Sequence, residues 1–227
     1  MSFIVAIDGP AGTGKGTITK LVGEELGLIN VDTGAMYRCV ALEALRKNVS
    51  DTEIEKLEEI LKDIKIEFKR ENENIIVFLN GEDVTKEIRT PKINACVANF
   101  AALKCVRDKM TPLQQEMGKN SNIIMEGRDI GTVIFPKADV KIYLDASAEE
   151  RANRRYKQNI ENGIKQSYEE VLENIKKRDF LETTRELNPL RKADDAILVD
   201  TTHLTIEEVK QKILEIIKEK QYDKSNS

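Results

Sequence analysis

Gly9-Pro10-Ala11-Gly12-Thr13-Gly14-Lys15-Gly16-Thr17 is the stretch on which the fold turns. Before it stands the apolar run Phe3 to Ile7, which reads as a buried strand. After it, Thr17 to Leu26 reads as a helix, with Ile18, Leu21, Val22 and Leu26 near one face and Gly27 as a stop signal. A strand, a glycine-rich loop and a helix in this order have the mechanics of a phosphate loop. Glycines let the backbone curl so that its N–H groups face phosphate oxygens, and the helix N-terminus adds partial positive charge. Lys15 reaches the β- and γ-phosphates of a nucleotide, and a hydroxyl one turn into the helix approaches Mg²⁺. The strict pattern places Ser or Thr directly after the lysine. Here Gly16 intervenes and Thr17 is the candidate metal ligand, directly or through water.

Outward from the loop, short apolar runs alternate with helical periodicity. Strands are expected at Leu28 to Val31, Asn122 to Met125, Val140 to Leu144 and Ala196 to Val199. Helices are expected at about Ala35 to Lys47, Thr52 to Ile64 and Pro91 to Met117. Thr52 with Glu55, Ser147 with Glu150, and Thr205 with Glu208 have capping-box spacing. Between the helices, Ile64, Ile66 and Phe68 alternate with charged residues, Ile75 to Leu79 is apolar, and Asn80-Gly81 supplies a turn, so a small β insertion is expected. Residues 158 to 195 are polar and charged, and the tail after Lys220 is expected to fray. The alternation indicates an α/β fold with a parallel sheet covered on both faces.

Composition narrows the functional classes. The 227 residues carry 36 Lys+Arg and 40 Asp+Glu, a net charge of −4. That balance argues against a general nucleic-acid binder, so an anionic ligand must be held by local basic groups. The longest apolar runs, Phe3 to Ile7 and Ile75 to Leu79, are far short of the roughly 20 residues of a membrane span. No membrane partner is expected, and cytoplasm is the default location. Cys39, Cys96 and Cys105 form no Cys-x-x-Cys pair, and His203 is the sole histidine. A disulfide framework, a Cys-rich zinc site and multi-histidine chemistry are therefore unsupported. A GTPase switch is disfavoured, because neither Asp-x-x-Gly nor Asn-Lys-x-Asp occurs.

Three further segments carry candidate chemistry. Asp32-Thr33-Gly34-Ala35-Met36-Tyr37-Arg38 follows the second strand, where open α/β sheets bind ligands. Arg38 can pair with a phosphate there. Equally, Asp32 or Thr33 can cap the helix and Arg38 can be a surface residue. Gly127-Arg128-Asp129-Ile130-Gly131-Thr132 follows another strand, with Arg and Asp suited to phosphate and base contacts or to a structural ion pair. Arg178, Arg185 and Arg191 lie in the polar segment, as a solvated face or a lid that carries arginines to a phosphoryl group.

Assembled, these pieces resemble the bacterial-type cytidylate kinases of the nucleoside monophosphate kinase family, over nearly the whole chain. The resemblance rests on the Gly-Lys-Gly-Thr loop, Asp32 through Arg38, Glu82-Asp83-Val84-Thr85 through Ile88-Arg89, and Gly127 through Pro136. Lys141 through Ser147 with Glu150-Arg151, Arg178-Asp179 with Arg185, Pro189-Leu190 and Ala193-Asp194-Asp195-Ala196 complete it. It implies one P-loop kinase domain over 1–227. The core would span about 1–32, 110–150 and 187–221, the monophosphate-binding region about 33–109, and the lid about 151–186.

The resemblance also implies transfer of the γ-phosphoryl group of ATP to CMP or dCMP, with Mg²⁺; a monomer is the default expectation. Gly9, Pro10, Ala11, Gly12, Thr13, Gly14, Lys15, Gly16 and Thr17 would hold ATP. Lys15, Arg128 and Arg185 would be catalytic. Arg38, Arg128 and Arg185 would contact phosphates, Arg107 and Asp129 the cytosine, and Arg178 and Glu182 the ribose side. Thr33 stands where Ser is common. Glu182 stands where the family pattern has Asp, and Ala98 where it often has Ser. These departures bear on the choice between CMP and dCMP and on a hydroxyl contact to cytosine that would be lost or supplied by a neighbour such as Asn99. Kinases for UMP, AMP or a metabolite hydroxyl, with Asp32 as base, are the near alternatives. A P-loop binding module without turnover is the distant one.

Overall fold

The structure, a computed structural model, describes residues 2–71 and 74–225. Contacts divide the chain into two compact units, one formed by residues up to Val31 and from Met117 onward, the other by Asp32–Glu116.

The first unit is built on a five-stranded sheet. Its strands are β1 (Ile4–Asp8), β2 (Ile29–Asp32), β6 (Ile123–Gly127), β7 (Val140–Asp145) and β8 (Ile197–Asp200), in the spatial order β2-β6-β1-β7-β8. The pairings of β1 with β6, β1 with β7 and β7 with β8 are parallel. The alternation within β1 explains its unbroken apolar run. Val5 and Ile7 pack with Ile18 and Val22 of α1 (Lys15–Leu26) and with Val209, Ile213 and Ile217 of α8 (Ile206–Ser225). Ala6, with Ile4 packed alongside, joins Val31, Met125, Ile130 and Ile134 on the other face. Both faces being covered, polar residues have no place along the strand until Asp8.

α6 (Ala148–Glu161) and α7 (Tyr168–Thr184) pack on each other through Ala152, Val171 and Ile175. Between β6 and β7 lies a π-helical turn, Ile130–Ile134, which the apolar pattern did not signal.

The second unit contains α2 (Thr33–Arg46), α3 (Ile54–Asp63), α4 (Pro91–Ala102) and most of α5 (Lys104–Gly118). Its three-stranded sheet has the order β3 (Ile66–Glu71), β4 (Asn74–Leu79), β5 (Glu82–Asp83), with both pairings antiparallel. The expected turn is there. Asn80 and Gly81 have φ of 52° and 88°, the left-handed pair that a tight two-residue hairpin requires.

Several expectations need correction. The single helix over Pro91 to Met117 is two helices, because Leu103 is extended (φ −73°, ψ 134°). Its N–H donates to Phe100 and its carbonyl accepts from Arg107, so it closes one helix and opens the next. The Thr52–Glu55 capping box does not form. Ser50 N–H and Oγ instead donate to Glu53, which occupies the cap position of α3. Ser147 caps α6 through Glu150 N–H, but the Glu150 carboxylate pairs with Arg154 rather than reciprocating. The polar segment 158–195 contains the 17-residue helix α7, opened by a complete Ser167–Glu170 capping box. The helix α8 continues past Lys220 to Ser225.

The three cysteines are free. Burial pushes the Cys39 thiol up to about 12, which suits a packed, unreactive residue. Among the described residues no helix is long and apolar enough to cross a membrane.

Candidate active site

The phosphate loop leaves β1 at Gly9, whose φ of +149° places a would-be Cβ 2.0 Å from the Leu144 carbonyl oxygen. Only glycine fits. Gly14 (φ 89°) then turns the chain into α1, and among the described residues no side chain caps that N-terminus. The first N–H groups of a helix have no intrahelical acceptor, so this end offers donors and partial positive charge to an anion. Lys15 is 5 % exposed and folds back over the loop, its Nζ donating to the Pro10 carbonyl at 2.7 Å and to Thr13 Oγ1 at 3.3 Å. Burial, and then the charge of Arg128, lower its ammonium to about 7, while Glu126 and Glu182 pull the other way. Phosphate oxygens beside it would favour the charged form.

Gly16 also acquires a physical reason. A Cβ there would lie 3.0 Å from Glu126 Oε1, so the buried Glu126 carboxylate lies against the first turn of α1. Thr17 is exposed on that turn. Arg151 braces the loop from outside. Its buried guanidinium donates to the Ala11 and Ala146 carbonyls and forms a two-pronged pair with Asp179 of α7.

Beyond β6, Arg128 Nε donates to Glu182 Oε2 at 2.6 Å, and Arg178 Nε donates to Glu182 Oε1 at 2.8 Å. One carboxylate thus holds two arginines from different elements. Burial alone would raise the Glu182 carboxyl, but the charges and hydrogen bonds of Arg128 and Arg178 outweigh it and hold the group at about 2. Asp129 is buried, and its Oδ1 is 4.0 Å from Arg185 Nη2. Arg185, just past α7, also donates through Nε and Nη2 to the Asn188 carbonyl. The first unit therefore assembles Lys15, Arg128, Asp129, Arg178, Glu182 and Arg185 around the carboxyl ends of β1 and β6.

The second unit carries the other anticipated residues. Asp32 takes the cap role, its Oδ1 accepting from Ala35 N–H, and Arg89 pairs with its other oxygen. Thr33 is buried at the first position of α2. Arg38 Nη1 donates to Asn94 Oδ1 at 2.6 Å and to the Ile88 carbonyl at 3.1 Å. Arg107 is buried, donates to the Ala101 carbonyl, and lies 5.4 Å from the Tyr37 ring centroid. Ala98 is half-buried on α4, and Asn99 beside it is exposed.

Residues 5–219 match the family model for cytidylate kinase. The chain belongs to the cytidylate kinase family. Proteins named cytidylate kinase resemble it along nearly their full length. That of Thermosipho africanus is 51% identical over 217 residues, 95% of each chain. That of Bacillus subtilis is 48% identical over 216 residues, 95% of this chain and 96% of the other. That of Caldicellulosiruptor saccharolyticus is 48% identical over 212 residues, 93% and 94%. Among solved structures, a gluconokinase from Sinorhizobium meliloti 1021 shares the fold, with a TM-score of 0.52 at 10% identity, covering 99% of this chain and 97% of that one.

Against this cytidylate kinase frame, sequence reasoning passed over Asp8, Glu126 and the pair Arg151–Asp179. Asp8 had a visible signal, an acid ending an apolar strand beside glycine. Arg151 and Asp179 stand in quoted motifs, but nothing in the sequence signals that they pair across two helices.

Proposed function

We propose that the protein transfers the γ-phosphoryl group of ATP to CMP and dCMP, giving ADP and CDP or dCDP, by in-line attack of an acceptor phosphate oxygen. The observation that carries this reading is the convergence of the Lys15 loop with Arg128, Asp129, Arg178 and Arg185 at the carboxyl ends of β1 and β6, in a chain of the cytidylate kinase family.

The acceptor is a phosphate anion at neutral pH and needs no side-chain base. The work left to the protein is to bring two polyanions together and to stabilise charge spreading over the transferred group. Lys15 and the amides from Gly9 to Thr17 hold the ATP phosphates. Mg²⁺ arriving with the nucleotide would neutralise phosphate charge. The oxygens of Thr17 and Glu126, both at the first turn of α1, are hard donors suited to it or to its waters.

Arg38 and Arg128 bind the acceptor phosphate, with Thr33 beside Arg38's helix start, and Arg185 stabilises the transferring group. Arg178 and Glu182 serve the ribose side. Closure of the segment 151–186 excludes water that would otherwise take the phosphoryl group. Asp129 accepts from the cytosine amino group and Arg107 donates to a ring acceptor. Uracil presents a carbonyl where cytosine has its amino group, so an ionised Asp129 disfavours it.

Asp129→Ala tests the reading of the base. Losing a hydrogen bond to a charged group is expected to cut the preference for CMP over UMP by roughly 10- to 100-fold. The check is kcat/KM for both acceptors on a variant with the wild-type circular dichroism spectrum. An unchanged preference removes Asp129 from base recognition.

A further inference from the structure

Asp8 is buried at the end of β1, directly before the phosphate loop, and the mechanism above gives it no role. Its hydrogen bonds cross 122 and 123 residues of sequence. Oδ1 accepts from Ile130 N–H at 2.8 Å and Oδ2 accepts from Gly131 N–H at 2.7 Å. Those two residues open the π-helical turn that follows Asp129. The parallel register sets Asp8 beside Gly127, so β1 and β6 end together. From there the chain passes through Arg128 and Asp129 before the next two amides meet the Asp8 carboxylate. The fit is close. A Cβ on Gly131 would lie 3.2 Å from Lys141 Cδ and 3.4 Å from Asp8 Oδ2.

The geometry points to Asp8 as a positioning residue for acceptor recognition: by gripping the amides of Ile130 and Gly131 it fixes where Arg128 and Asp129 are presented beside the phosphate loop. This rests on the reading of Arg128 and Asp129 as acceptor-binding residues. Burial raises the Asp8 carboxyl to about 6, against the pull of the two N–H groups and of Lys15, and the Asp129 charge adds to the rise. At neutral pH the ionised group thus depends on those two amides for its compensation. Both of its oxygens accept. An asparagine in its place has one acceptor and sets an NH₂ against the other amide.

Asp8→Asn is expected to raise KM for CMP on the order of tenfold, the effect of one lost hydrogen bond, and to lower CMP-over-UMP preference. KM for ATP should stay within about twofold, because Lys15 and the loop glycines are untouched. A lower melting temperature with unchanged kinetic constants would mean that Asp8 is merely structural and would overturn the proposal. An equal rise in both KM values would place its effect on the phosphate loop and overturn it too. Asp129→Ala measured alongside separates the two levels of failure. If it changes acceptor constants and Asp8→Asn does not, the positioning role is wrong and the base-reading assignment stands. If neither changes them, the assignment itself is wrong and the proposal falls with it. Should Asp8→Asn not fold, Gly131→Ala carries the test. Its added methyl sits tightly against Lys141 Cδ and in contact with Asp8 Oδ2, and should shift the CMP constants alone; unchanged CMP constants in that variant would overturn the proposal.

Discussion

Lys15→Ala is expected to lower phosphoryl transfer by about 10³-fold or more, while the protein remains folded. The scale follows from other charge-stabilising groups in phosphoryl transfer, whose removal costs on the order of 10³ to 10⁵. The structure explains why the fold should survive. The Lys15 ammonium is buried, its hydrogen bonds among the described residues go to Pro10 and Thr13 of the loop, and burial with the nearby Arg128 charge already disfavours its charged form. Deleting it removes a cost to the folded state along with two hydrogen bonds. What is lost is the cation that a triphosphate would meet. The comparison to make is single-turnover transfer against the thermal unfolding midpoint for wild type and variant. Near-normal turnover would overturn the phosphate-loop assignment.

Glu182→Ala is expected to be the most destabilising of the site substitutions, by roughly 3 kcal/mol at pH 7, the scale for removing one partner of a buried charged group. The Glu182 side chain is 5 % exposed and those of Arg128 and Arg178 are about one-fifth exposed, so its loss leaves two like charges facing each other in a partly desolvated place. The pH dependence has a definite sign. The carboxyl is held at about 2 against an ordinary 4.5, so its contribution is fully present above pH 4.5 and is lost as pH falls toward 2. Displacement of that size corresponds to roughly 3 kcal/mol, in line with the mutational figure. Urea unfolding of both proteins between pH 7 and 3 makes the check. Wild type should lose stability more steeply than Glu182→Ala on the acid side. Parallel curves with equal midpoints would show that the bridge contributes nothing.

The Glu182 bridge also bears on the departure from the family pattern. Each of its two oxygens already serves an arginine. A ribose hydroxyl would compete with, or share, those contacts. The ratio of CMP to dCMP activity is thus a property of how the bridge opens, and it was out of reach of the sequence, which shows the longer side chain but not its partners.

What could be read in advance follows from the range over which each signal acts. β1, the loop and α1 were legible because their residues interact within a few positions: an apolar run buried on both faces, glycines, then an amphipathic stripe. The hairpin turn at Asn80-Gly81 was legible for the same reason. The break at Leu103 was not, since it lies in one residue's backbone angles while the apolar spacing continues past it. α7 was hidden by its charge, although Ser167 and Glu170 stood at capping-box spacing. Arg128, and Arg178, Arg185 and Arg191 of the polar segment, could be named as candidates. The arrangement of Arg128, Arg178 and Arg185 depends on Glu182, Asp129 and Asn188, and so on contacts that form only when β6 and α7 meet. Asp8 is the plainest case, an acid whose partners lie across the sheet at Ile130 and Gly131.

The most direct measurement is ADP release from Mg-ATP with CMP, dCMP, UMP, AMP and GMP tested in parallel on the wild-type protein. Strong release with CMP and dCMP, and weak release with the other three, is the expected result. A preference for UMP, AMP or GMP, or no release with any of the five by a folded protein that binds ATP, would contradict the proposed reaction.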